Sequence, residues 1–278
     1  MYKVIIDSSG ELSEELKADG HFCNVALSLD IDGETIKDDE NFNQLEFLKK
    51  VKESSEGPKS ACPSPEAFIE KFGDADHVYI ITLSGELSGS YNSAALAQDI
   101  YEEEHEGEKQ IHVFNSKSAS IGETIIGMKI KELEDAGKSF EEVVSETNAY
   151  IDSMNTFFVL ETLETFVKTG RLSRLKGTIV EALNIKPIMA STKNGYIQML
   201  SKGRGMKNAL VKMVDEMAKV TKNCEEKVIA ISHCNCPERA EYVKSLIEKT
   251  GKFKEVIVLN MRGVSSMYAN DGGIIIAV

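Results

Sequence analysis

Hydroxyls and glycines, more than acids or imidazoles, mark the stretch with the clearest chemical potential: Leu83-Ser84-Gly85-Glu86-Leu87-Ser88-Gly89-Ser90-Tyr91-Asn92-Ser93-Ala94-Ala95. It follows an apolar, β-branched run from His77 to Thr82 and opens an alanine-rich helical pattern reaching about Glu103, so a strand feeds a turn and the turn feeds a helix. Such a turn aims backbone N–H groups and hydroxyls at one spot, with the positive end of the helix dipole behind them. That suits a bound phosphate or carboxylate; an N-cap with spare serines is the equal alternative. Ser60-Ala61-Cys62-Pro63-Ser64-Pro65 is related: Ser64 can cap a helix begun by Pro65, while Pro63 keeps the Ser60 hydroxyl outside it. A third hydroxyl-rich turn, Asn115-Ser116-Lys117-Ser118-Ala119-Ser120, joins a strand at Gln110 to Phe114 to a helix reaching roughly Ala136.

Other chemistries lack their residues. Gly85-Glu86-Leu87-Ser88-Gly89 puts its serine one place too late for the G-x-S-x-G nucleophile elbow. Neither the dinucleotide fingerprint nor the phosphate loop occurs. His233-Cys234-Asn235-Cys236 resembles a fragment of a metal site, but no second ligand pair stands at a suitable spacing, and a strand end running into a helix at Pro237 is the plainer reading. With no paired carboxylates, triad or metal cluster legible, the expectation is a binding protein and not an enzyme, without cofactor or metal.

Composition narrows the class. At 278 residues and 42% hydrophobic, the chain can build two domains, and a net charge of -13 argues against nucleic acid or an anionic membrane surface as partner. Five scattered cysteines fit reduced thiols. No run is long enough to span a membrane, and the strand-like N-terminus does not read as a signal peptide, so a cytoplasmic location is expected.

The elements that must position the serine turns follow in order. Tyr2 to Ile6 reads as a strand ending in the turn Asp7-Ser8-Ser9-Gly10; helices are expected at Ser13 to Ala18 and Asn43 to Lys52, with one apolar run at Phe22 to Leu29 between them. Ser139-Phe140-Glu141-Glu142 is a capping box for a helix ending near Met154. Repeated strand, serine turn and helix imply a parallel sheet whose ligands lie beyond the strands' carboxyl ends. After about Asn155 the pattern changes. Phe157 to Leu160 is a strand, Thr162 to Lys168 begins a helical region interrupted at Thr169 to Ser173, and Asn194-Gly195 joins strands at Ile185 to Ser191 and Tyr196 to Ser201 as a hairpin. An amphipathic helix carries Leu210, Met213, Val214 and Met217, and the chain closes as strand (Lys227 to Ser232), helix (Pro237 to Thr250), strand (Glu255 to Asn260), loop and strand (Ile274 to Val278).

Taken together, these segments resemble the DegV family of bacterial fatty-acid-binding proteins over essentially the whole chain. Asp7-Ser8 follows the first strand, Ser60-Ala61-Cys62-Pro63-Ser64 stands where the family has Thr-Ser-Gln-Pro-Ser, and Leu87-Ser88-Gly89-Ser90-Tyr91 stands for Leu-Ser-Gly-Thr-Tyr. Asn115 to Ser120, Gly170-Arg171-Leu172-Ser173 and Asn184-Ile185-Lys186-Pro187-Ile188 continue the resemblance in the same order. Cys62 departs from the usual glutamine, and Tyr268-Ala269-Asn270-Asp271-Gly272 stands for the family's His-x-Gly-Pro-Gly.

The resemblance implies an α/β protein of two domains: an N-terminal parallel βαβ sheet domain over 1–156 and a C-terminal mixed α/β domain over 157–278. A long-chain fatty acid would lie between them and be presented to a separate kinase that makes the acyl phosphate. Its carboxylate-binding hydroxyls map onto Ser60 and Ser88, with Gly89 and Ser116 of the serine turns beside them. Arg171 maps onto a position for recognising the kinase or closing the interface. Tyr268 replaces an imidazole with a phenol, which still donates one hydrogen bond to a carboxylate. Two other readings stay open: a lipid-sensing regulatory protein, and a phosphotransfer enzyme related to dihydroxyacetone kinases, which would need a nucleotide site that the sequence does not display.

Overall fold

The computed structural model describes residues 1–175 and 184–278. The first half contains β1 (Tyr2–Asp7), α1 (Glu14–Ala18), β2 (Phe22–Val25), β3 (Ser28–Ile31), β4 (Glu34–Lys37), α2 (Gln44–Glu53), β5 (Lys59–Ala61) and α3 (Pro65–Ile69). It continues with β6 (His77–Thr82), α4 (Ser90–Glu104), β7 (Gln110–Asn115), α5 (Ile121–Asp135) and α6 (Phe140–Ser153). Local chemistry explains many of the boundaries. Ser13, Asn43 and Ser64 accept backbone N–H groups at the starts of α1, α2 and α3, and Ser139 with Glu142 completes both halves of a capping box on α6. Strands β2-β1-β6-β7 form a wholly parallel sheet, and Val4, Ile5, Ile6, Val78, Ile80 and Ile81 are fully buried, as strands covered on both faces require.

The second half contains β8 (Thr156–Val159), α7 (Glu164–Lys168), β9 (Ile185–Ser191), β10 (Ile197–Arg204), α8 (Gly205–Val220), β11 (Val228–His233), α9 (Pro237–Ile247), β12 (Glu255–Asn260), α10 (Gly263–Ala269) and β13 (Ile274–Ala277). Its sheet runs β10-β9-β8-β13-β11-β12, mixed because only β11 and β12 pair in parallel. The β9–β10 hairpin turns at Asn194-Gly195. Gly195 has φ +86°, and a Cβ there would stand 2.3 Å from the Ser84 Oγ of the first half, so both conformation and contact require glycine. No helix among the described residues is long and apolar enough to cross a membrane.

Three segments depart from expectation. The apolar run at 22–29 is two strands: β2 joins the parallel sheet, whereas β3 joins a separate antiparallel sheet of order β4-β3-β5. The break falls where the Leu27 N–H leaves the sheet to donate to the Ser8 Oγ. Residues Lys59–Ala61, where the sequence shows no strand signal ahead of the Pro65 helix, form an edge strand of this small sheet, with Ser60 opposite Leu29. The loop expected before Ile274 contains helix α10, nearly all of it buried.

Helix α5 joins the two halves. Ile121, Ile125, Ile126 and Ile130 pack in one cluster with Val4, Ile6 and Ile81 of the parallel sheet and with Ala230 and Ala277 of the mixed sheet. Its first half, from Ile121 to Gly127, is covered on both sides and has no solvent face, which explains why Gly122, Thr124 and Gly127 are buried with the isoleucines. Ile126→Ala is therefore expected to cost ~2–5 kcal/mol in urea unfolding, the usual price of a cavity at a fully buried isoleucine; a loss below ~1 kcal/mol would show that α5 does not brace both sheets.

Candidate functional site

The serine turns meet at the carboxyl end of the parallel sheet, where ligands of such sheets bind. Asp7, at the end of β1, accepts the Leu83 N–H at 3.0 Å and the Ser9 N–H at 3.1 Å, fixing two turns with one carboxylate. The Asn115 side-chain oxygen accepts the N–H groups of Gly85 and Lys117. Ser84 closes its own turn through its carbonyl, which accepts from Leu87 and Ser88, and its hydroxyl donates to the Gly195 carbonyl at 2.9 Å. On the outer side the Ser93 hydroxyl donates to the Pro63 carbonyl at 2.6 Å, drawing the Ser60 to Ser64 segment against α4.

Two cavities open here. The apolar one holds about 740 Å³ of free space, part of it open to solvent, and its lining is almost wholly carbon. Phe158 and Ile275 of the mixed sheet line it with Leu160, just beyond β8, as do Phe166 of α7 and Ala269 of α10. Hydroxyl residues also line it, but their oxygens face the wall. The Ser9 Oγ accepts the Ser120 N–H, the Ser118 and Thr156 hydroxyls pair at 2.6 Å, and the Ser265 hydroxyl donates to the Ser9 carbonyl. The second cavity holds about 620 Å³ and is lined by Ser60, Cys62, Ser88 and Gly89. Leu83, Leu87, Arg171, Val264 and Tyr268 line both, so the two cavities adjoin at these residues.

Of the residues expected at the site, the fold therefore brings together Ser60, Ser88, Gly89, Arg171 and Tyr268. The Ser88 Oγ accepts the Ser90 N–H at 3.2 Å, which leaves its own proton to donate. Gly89 is the N-cap of α4 and lies beside the Cys62 thiol. Tyr268 packs its ring 4.6 Å from that of Phe166. Arg171 donates to the Leu87 carbonyl at 3.2 Å and the Thr169 carbonyl at 2.7 Å, so it ties the end of α7 to the serine turn at the joint of the two cavities. Ser116 lines neither cavity. It is fully buried and spends its hydroxyl inside its own turn, donating to the Ser118 carbonyl and accepting the Ser118 N–H. Val264, Ser265 and Ala269 line the site from α10, where a loop is expected from sequence; the apolar spacing of Val264, Met267 and Tyr268 is the helical signal in that segment.

Asp7, Glu11 and Glu123 lie buried near the cavities, and none of them makes an ion pair with a cation among the described residues. Burial pushes Asp7 above the usual carboxylate range and Glu123 further still, the Asp7 charge adding to the rise at Glu123. Neither Glu123 oxygen has a hydrogen-bond partner among the described residues, so little offsets the burial that favours its neutral form. Burial also pushes Glu11 up to about 8, against the lowering effect of the Ser120 hydroxyl, which lies 2.8 and 2.9 Å from its two oxygens. Ser120 adopts φ +58° and ψ -134°, a conformation serine rarely holds; its hydroxyl contacts to Glu11 and to Ser232 of β11 offset that cost and join the two halves. The His-Cys-Asn-Cys segment gathers no metal set: no group of three or more potential ligands lies together among the described residues.

Comparison with known proteins places this geometry in context. A family model described as "Uncharacterised protein, DegV family" matches residues 1–278. A "DegV domain-containing protein" of Streptococcus pneumoniae is 34% identical over 254 residues, covering 91% of this chain and 89% of the relative. Among solved structures, a DegV-family protein from Ruminococcus gnavus, refined with vaccenic acid, superposes with a TM-score of 0.96 at 51% identity, covering 100% of this chain and 99% of that one. The Streptococcus pneumoniae Fatty Acid Kinase (Fak) B3 protein, loaded with linoleic acid, gives a TM-score of 0.89 at 31% identity, covering 100% and 98%.

The buried acids set a pH dependence of stability with a definite sign. Glu11 holds its proton more tightly folded than unfolded, so its contribution is fully present below its ordinary value of 4.5 and is lost as pH rises toward about 8. Glu11→Gln keeps a neutral side chain at every pH and removes that dependence. Urea unfolding between pH 5.5 and 8.5 should show parent stability falling by up to ~1.4 kcal/mol per pH unit more steeply than the variant's. Parallel curves for the two proteins would mean that Glu11 is ionised throughout.

Proposed function

This chain belongs to the DegV family, and we propose on that premise that it binds one long-chain fatty acid, tail in the apolar cavity and carboxylate in the hydroxyl-lined one. The observation that carries this reading is the joint: five residues line both cavities, so a single ligand with an apolar body and a polar end can occupy the pair. The fatty acids present in the structures of the Ruminococcus gnavus and Streptococcus pneumoniae proteins support it.

Elementary energetics agree. At ~0.8 kcal/mol per methylene, a sixteen-carbon tail leaving water gains on the order of 12 kcal/mol, enough for tight binding after the costs of association. A carboxylate leaving water needs converging donors instead. We assign these to the Ser60 and Ser88 hydroxyls, the start of α4 at Gly89 and the Tyr268 phenol. Ser116 serves the site indirectly, by holding the turn that carries Ser118 and Ala119 into the apolar wall. Arg171 closes the joint and offers a charge to a partner. That partner is a separate kinase forming the acyl phosphate, a role supported by the resemblance to the Fak B3 protein. The chain then acts as carrier, and catalysis resides in the kinase.

Protein purified from a heterologous host and extracted with organic solvent after denaturation is expected to release fatty acid detectable by mass spectrometry. No lipid in the extract, together with no binding of added oleate or palmitate, would sink the reading. Ser88→Ala removes a hydrogen bond to a charged group, worth ~1.5–3 kcal/mol, and should weaken binding roughly tenfold to a hundredfold, with Ser60→Ala similar and folding intact in both. Unchanged affinity in both variants, measured by displacement of a fluorescent fatty acid, would place the head group elsewhere.

A further inference from the structure

Helix α10 brings Val264 and Tyr268 to both cavities, and a residue remote in the chain holds its first turn. Asp38, just beyond β4, is 1% exposed. One of its carboxylate oxygens accepts the Gly263 N–H at 2.8 Å; the other accepts the Val264 N–H at 2.8 Å and the Ser8 hydroxyl at 2.9 Å. These amides belong to the first helical turn and have no partner within the helix. Glycine at 263 is what allows the approach, since a Cβ there would lie 2.2–2.6 Å from the Asp38 carboxyl atoms.

The same residue is fixed on its other side. The Asp38 N–H donates to the Leu27 carbonyl at 3.0 Å, β4 pairs with β3, and β3 sets Leu29 opposite Ser60. Asp38 therefore stands between the strand carrying Ser60 and the helix carrying Tyr268. Val264 and Tyr268 are four residues apart on α10 and share a face, so a shift of the clamped first turn moves both.

We propose that Asp38 is a positioning residue for the lipid head group, its carboxylate clamping α10 so that the Tyr268 hydroxyl and the Ser60 hydroxyl reach the same bound carboxylate. The inference rests on the fatty-acid reading above and adds a residue that does not itself touch the lipid. Without the clamp the first-turn amides lose a charge-assisted partner, α10 settles elsewhere, and the Tyr268 donor leaves the head group while the apolar cavity still accepts a tail.

The test compares palmitate with its methyl ester, which keeps the tail and lacks the charge, by displacement of a fluorescent fatty acid from the full chain. The parent should favour the acid. Asp38→Asn and Tyr268→Phe should each cut that preference roughly tenfold, and the double variant should lose no more than either alone, because both changes remove one contact. Gly263→Ala, which pushes the carboxylate away while keeping it, should match Asp38→Asn. Circular dichroism and thermal melting establish which variants are folded. If neither folds, Ser8→Ala, which removes one donor and leaves both amides, should lower the preference by a smaller step. Losses that add in the double variant, or a preference unchanged in the folded variants, would overturn the clamp. A parent that takes up neither ligand would overturn the fatty-acid reading instead.

Discussion

The carboxyl end of the parallel sheet depends on satisfying polar groups in a place that water does not reach, and Asp7 is where that begins. It is fully buried at the end of a central strand, and its oxygens take the amides of Leu83 and Ser9. From those two bonds the rest extends. Ser9 accepts the Ser120 amide, Ser120 meets Glu11 and Ser232, and Ser8 reaches Asp38, which holds α10. One hydrogen-bonded network thus joins both sheets, α5 and α10. A buried donor or acceptor left without a partner costs more than a made bond gains, so the network holds its turns in one arrangement.

That arrangement explains how a wall built from serines can enclose an apolar cavity. Oxygens of Ser9, Ser118, Ser120, Thr156 and Ser265 are all turned into the wall, so mainly their carbon atoms face the space. At the other end the Ser88 oxygen accepts from Ser90, which leaves its proton available to donate. The same residue type therefore serves opposite purposes at the two ends, according to whether the fold supplies it with an acceptor.

Charge follows a similar division. The chain carries a net charge of -13, yet the acids nearest the cavities, Asp7, Glu11, Asp38 and Glu123, are held above their ordinary range by burial. Burial favours the neutral form at each of them, most strongly at Glu123 and only modestly at Asp38, so less negative charge lies beneath the place assigned to a carboxylate ligand. Arg171, spanning the joint, is the charged side chain that faces both cavities.

What the sequence by itself determined was local. Ser13, Asn43, Ser64 and Ser139 announce helix starts because a cap bonds within three residues, Asn194-Gly195 announces a hairpin because the turn demands positive φ, and unbroken apolar runs announce a buried parallel sheet. The serine turns at Ser60 and Ser88 were legible for the same reason, and the order of such segments carried the family. The tertiary structure alone decided everything that depends on a distant partner. Helix α10 has no cap of its own, since its first amides are satisfied by Asp38, and so it reads as loop. The run at 22–29 divides because Leu27 finds a hydroxyl at Ser8, and Ser116 is drawn out of the site by Ser118, a bond whose availability only the folded turn reveals. Ser118 and Ser120 spend their hydroxyls in the wall because Thr156, Glu11 and Ser232, remote in the chain, are brought beside them, and no local pattern of residues encodes that approach.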